Sequence, residues 1–189
     1  MQPILLAAGR SARFGGNKLL HPLADGTPVA LAAARNLVAA LPGALAVVNA
    51  ADVELARLLE GAGLGVSTCP HAEQGMGTSL AWGVSQTLEA DGWLIALADM
   101  PFIAAQTLRA VAEAVREPFA IVAPVYDGRR GHPVAFGRGH GPALAALSGD
   151  SGARALLQAH QRSLVLLPCD DPGVVQDIDL PEHLPMPSR

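Results

Sequence analysis

A chain of 189 residues, half of them hydrophobic, has the usual size of one domain and is expected to form a single one over 1–189. Its net charge of −4 argues against a nucleic-acid partner, and no apolar run approaches the ~18 residues that cross a membrane. Cys69 and Cys169 form no CxxC pair, which excludes a disulfide framework and a cysteine-held zinc. The N-terminus lacks the basic start and long apolar run of a signal peptide, so a cytoplasmic location is expected.

The predicted elements alternate. PILLAA (3–8) reads as a buried strand, since its apolar residues run without a polar break. Residues 28–41 repeat apolar side chains at helical spacing between Pro28 and the Pro42-Gly43 stop. A strand over 44–50, a helix over 52–63 with Asp52 as N-cap and glycines at its exit, and a strand over 64–69 come next. A helix over 77–90, the apolar strand WLIALAD (93–99) and a helix over 105–117 follow. Strands at 119–125 and 132–137, short helices at 141–147 and 152–160, and a strand at 163–169 complete the series. This rhythm predicts a three-layer α/β/α fold around a mostly parallel, Rossmann-like sheet. Ligands of such sheets collect at the carboxyl ends of strands, near the topological switch point. The segments to watch are therefore 8–18, 70–79, 99–101, 126–133 and 170–179.

The first of these, AGRSARFGGNK (8–18), has the chemistry of a phosphate loop. Gly9, Gly15 and Gly16 let backbone N–H groups turn toward an anion. Arg13 adds a planar fork, and Lys18, the single lysine of the chain, adds a point charge on a flexible stem. The segment is neither a Walker loop nor G-x-G-x-x-G; on local chemistry alone an ordinary basic loop is the other reading. Asp99 ends a buried strand, where it serves either Mg2+, which takes one or two carboxylates plus substrate phosphates, or the turn before Pro101. Asp177 and Asp179 share one face if extended. In GMGTSL (75–80) two glycines open a helix whose N–H donors favour anions, with Ser79 in the first turn. Histidines 21, 71, 140, 160 and 183 show no metal spacing and read as structural or solvent-facing.

L-A-A-G-x-S-x-R-x-G-x-x-K, at Leu6 to Lys18, resembles the signature of nucleotidyltransferases that attach nucleotides to cofactor phosphates. Within that group it most resembles the molybdenum cofactor cytidylyltransferase and molybdopterin nucleotidyltransferase family. GMGTSL, LADMP (97–101), GHPV (131–134), GDSGAR (149–154) and DIDLPEHL (177–184) extend the resemblance over most of the chain. It implies a nucleotide-diphospho-sugar-transferase-like fold. It also implies transfer of CMP from CTP to the terminal phosphate of molybdopterin, releasing pyrophosphate and giving molybdopterin cytosine dinucleotide. By resemblance Leu6, Ala7, Ala8, Gly9, Arg13, Gly15, Lys18, Gly77 and Ser79 bind the nucleotide, and Arg13, Lys18 and Asp99 carry catalysis. Asp99 and Asp179 hold Mg2+, and Gly131, His132, Pro133, Asp150 and Gly152 border the acceptor. CTP and molybdopterin are the implied partners, with a molybdoenzyme or its chaperone downstream. Ala8 resembles the cytidylyl members more than the glycine-rich guanylyl and sugar relatives. Met100 and Leu180 depart from the glutamine and threonine that the family often shows. A guanylyltransferase, a transferase for a sugar phosphate, and a non-catalytic cofactor carrier stand as alternatives.

Overall fold

The computed structural model describes residues 1–9 and 17–179; Arg13 and Gly15 lie outside them. Eight strands and six α-helices follow one another as β1 (Gln2–Ala7), α1 (Val29–Ala40), β2 (Leu45–Asn49), α2 (Val53–Gly61), β3 (Gly65–Cys69), α3 (Met76–Ser85), β4 (Gly92–Leu97), α4 (Ala105–Glu113), β5 (Ile121–Tyr126), β6 (Arg129–Arg130), β7 (Val134–Gly137), α5 (Gly141–Ala145), α6 (Arg154–Ala159) and β8 (Leu164–Pro168) among the described residues. They build one mixed sheet in the order β3-β2-β1-β4-β7-β5-β6, with β8 also paired to β5. Strands β3, β2, β1 and β4 are mutually parallel, and β5 and β8 are parallel. Among the described residues no helix is long and apolar enough to cross a membrane.

The expected sheet is thus present, with a reversal inside it: β7 runs antiparallel to both β4 and β5. The connection explains this. A parallel return needs a crossover of a dozen or more residues, and only residues 127–133 separate β5 from β7. The short strand β6, absent from the sequence reading, forms in that connection. Asp127 and Gly128 both take positive φ, 48° and 71°, and fold Arg129 and Arg130 back onto Tyr126 and Val125. Asp-Gly between strands is a strong hairpin signal, so the sequence carried it.

β1 shows why the strands read as unbroken apolar runs. Leu5 and Ala7 pack into the cluster shared with α1, α2 and α4, while Ile4, Leu6 and Ala8 pack into the one shared with α3, α5 and α6. A strand covered on both faces has no side left for polar residues. Each fully buried Leu or Ile contributes about 1.5–3 kcal/mol. α2 is held in this way by Leu55 and Leu59, both fully buried. Asp52 does occupy its N-cap position, but the side chain makes no capping bond. Its backbone, at φ −94° and ψ 61°, lies off the extended conformation from which a cap oxygen reaches the first-turn amides.

Candidate active site

The carboxyl ends of β1 and β4 open onto a cleft of about 380 Å3. The two strands are neighbours at the switch point: β2 and β3 lie to one side of β1, and β4 lies to the other. Leu6, Ala8 and Gly9 enter the cleft from the first strand, Leu97 and Asp99 from the second.

Lys18 reaches across this gap. The Asn17 side chain accepts the Leu19 N–H at 3.2 Å and starts a 3-10 turn, Lys18–Leu20, which Leu19 anchors by its burial. Lys18 Nζ then donates to Asp99 Oδ2 at 2.7 Å and to Asp179 Oδ1 at 2.8 Å. Asp179 is delivered by its neighbour: Ile178 is buried and its N–H donates to the Asp99 carbonyl at 2.9 Å. Asp177, on the other side of Ile178, is exposed. Burial opposes the charge on Lys18, but hydrogen bonds to Asp179 and Asp99 outweigh it and raise its pKa above the ordinary lysine value.

This donor set fits a divalent cation. Two carboxylates already share one small positive group, and Asp99 Oδ1 is buried without a hydrogen-bond partner. Among the described residues no three His, Cys, Asp or Glu side chains converge. Such a site completes its shell from water and substrate phosphate, which is how Mg2+ is usually held.

The opposite wall comes from α3 and a distant turn. Gly75 precedes the helix at φ 121°, and a Cβ there would run into the Asp150 side chain. The Gly77 N–H donates to the Gly149 carbonyl at 2.7 Å, and the Gly149 N–H donates to Thr78 Oγ1 at 3.2 Å. Asp150 therefore lines the same cleft as Ser79, and Gly152 lies beside Met76.

Of the residues singled out in the sequence, Leu6, Ala8, Gly9, Lys18, Ser79, Asp99, Asp150 and Asp179 line the cleft. Ala7 belongs to the core on the other face of the sheet. Gly131 and Pro133 are buried, Gly131 against Val174, and His132 lies between them with its Nδ1 buried. Arg13 and Gly15 fall outside the described residues. Glu73 and Met76 also line the cleft; they fall in the 70–79 segment, Met76 within GMGTSL, but neither was named as a site residue. Glu73 precedes Gly75 by two residues and Met76 follows it, so closeness to a glycine that opens a helix was the available signal.

The MobA-like NTP transferase domain family matches residues 3–165. The chain belongs to that family. Purine catabolism protein PucB of Bacillus subtilis (strain 168) is 32% identical over 198 residues, spanning 98% of this chain and 95% of its own. Rv0371c from Mycobacterium tuberculosis H37Rv has a TM-score of 0.81 at 28% identity, over 96% of this chain and 93% of that one. Its complex with manganese gives 0.77 at 26% identity, over 96% and 94%. A nucleotidyl transferase from Methanothermobacter, at 22% identity and over 96% and 93% of the two chains, shares the fold with a TM-score of 0.83. As a MobA-like NTP transferase, this chain is a nucleotidyltransferase whose substrate is a nucleoside triphosphate.

Proposed function

We propose that the cleft transfers CMP from CTP to the terminal phosphate of molybdopterin. The observation that carries this reading is Lys18 held between Asp99 and Asp179 at the carboxyl ends of β1 and β4. A phosphate oxygen of the acceptor attacks the α-phosphorus in line. A new P–O bond forms, the bond to the bridging α–β oxygen breaks, and pyrophosphate leaves. The attacking phosphate is already an anion near neutral pH, with a second pKa of about 6, so no Ser, Cys or His nucleophile is needed. Positioning and charge neutralisation do most of the work in phosphoryl-type transfers.

Asp99 and Asp179 would hold Mg2+, which neutralises charge on the phosphate oxygens when bound. Lys18, released from the carboxylates, follows the triphosphate on its flexible stem and stabilises the departing pyrophosphate. Arg13 adds a second cation there. Leu6, Ala8, Gly9 and Ser79 face the base and ribose, with Gly15 and Gly77 completing the nucleotide side. Gly131, His132, Pro133, Asp150 and Gly152 border the acceptor. The manganese complex of Rv0371c supports a divalent cation in a related protein. The test is pyrophosphate release with Mg2+, molybdopterin and either CTP or GTP. CTP-dependent release supports the assignment, better use of GTP moves it to guanylyl transfer, and binding without release makes the protein a carrier.

A further inference from the structure

Two polar atoms beside the cleft are buried without a hydrogen-bond partner, Oδ1 of Asp99 and Nδ1 of His132. Buried polar atoms are nearly always paired, so each exception calls for a physical reason. Here the exceptions fall on neighbouring segments. β7 runs against β4 with Val134 opposite Ile95. His132, two residues before Val134, stands at the same end of this strand pair as Asp99, whose charge acts on its ring. The segment after β8 ties both backbones down. The Val174 carbonyl accepts the His132 N–H at 2.8 Å, and the Ile178 N–H donates to the Asp99 carbonyl at 2.9 Å. Gly131 sits so close to Val174 that no Cβ would fit. Both main chains are therefore fixed.

The two side chains are complementary. Asp99 gives Oδ2 to Lys18 and keeps Oδ1 as an acceptor. Burial lowers the His132 pKa, against the pull of the Asp99 charge. An imidazole ring can donate an N–H from Nδ1.

We propose that His132 is a positioning residue for Asp99: its Nδ1–H reaches Oδ1 through one bridging water and keeps Oδ2 turned to the cleft. This rests on the reading of Asp99 as a metal ligand. Carboxylate ligands are oriented by outer hydrogen bonds of this kind.

The experiment is Mn2+ titration of the full chain with CTP and no acceptor, followed by electron paramagnetic resonance. His132→Leu keeps the bulk and removes the donor, and should weaken Mn2+ binding by about 10- to 100-fold. His132→Asn restores an N–H near the Nδ1 position and should recover most of the loss. CTP affinity in a chelator should not change. A folded His132→Leu chain that binds Mn2+ as tightly as the parent overturns the proposal. If that variant does not fold, nitrogen NMR of the parent with Mg2+ and CTP decides: a protonated Nδ1 supports the role and an unprotonated Nδ1 overturns it. A parent that binds no Mn2+ with CTP or any other nucleoside triphosphate defeats the metal reading of Asp99 and this proposal together. Equal binding by parent and His132→Leu removes only the role of His132.

Discussion

One histidine stands just before β7 and another just after it, and their surroundings differ. His140 is complete: its Nε2 donates to the Phe119 carbonyl at 2.9 Å, and its ring meets Phe119, Phe136 and His160 edge-on. His132 has its Nδ1 buried with nothing bonded to it. Burial is the main cause of a lowered pKa at both. A shifted pKa therefore does not separate a structural histidine from one at a site. The bonding around the ring does, and the incomplete ring is the one next to Asp99.

Breaking the cleft side of this contrast should give the largest effect. Asp99→Asn keeps the shape and removes the charge, so turnover measured by pyrophosphate release should fall at least about 100-fold, as expected when several kcal/mol of metal assistance are lost. Its thermal unfolding should stay close to the parent's. Unchanged turnover at saturating Mg2+ would take Asp99 out of the site. Lys18 comes next. Lys18→Ala should lose nearly all activity, and Lys18→Arg most of it, because a planar fork cannot follow a small turn between two carboxylates and a phosphate. If both variants match the parent, the ion pairs of Lys18 are structural only.

The other end of β7 should respond in stability. His140→Leu leaves the buried Phe119 carbonyl without its donor, at a cost of about 1–3 kcal/mol in urea unfolding, with kcat unchanged. The pH dependence sharpens this. Unfolded histidine titrates near 6.5, and the folded His140 titrates lower. Below 6.5 the unfolded chain binds more protons, so stability falls as pH drops toward the folded value and levels off beneath it. His140→Leu should flatten that part of the profile, leaving the contribution of His132. A profile that does not change in the variant means that His140 gives no such slope.

The smallest predicted effect concerns the base. Ala8 is buried against the cleft, and under the proposed function its methyl group would narrow the space for a purine. CTP should exceed GTP by at least about tenfold in kcat/KM, and Ala8→Gly should narrow the gap. Equal use of both nucleotides by the parent would remove the cytidylyl preference and leave nucleotidyl transfer intact.

Much of the fold was legible because apolar runs and helical spacing are local signals: PILLAA and WLIALAD mark the two strands that frame the cleft. Asp99 and Lys18 were legible because each sits where a strand or a glycine loop ends. The reversal of β7 was not read, although the short connection after β5 dictates it. The place of Asp150 was less visible still. It depends on a turn from after α5 closing on the start of α3, and sequence distance hides that contact. The choice between Asp177 and Asp179 needed the buried Ile178 to fix which carboxylate faces Lys18.

Gly75 has a consequence for engineering. Asp150 fills the space where its Cβ would be, and the Gly77–Gly149 and Gly149–Thr78 bonds lock the same two segments together. GMGTSL is therefore half of a two-part module. Grafted alone onto another sheet, it would present glycines with nothing to press against and a helix end open to water. The portable unit is GMGTSL together with the 148–152 turn. A library that randomises Gly75 while holding that turn fixed would return mainly glycine, whichever nucleotide is used for selection.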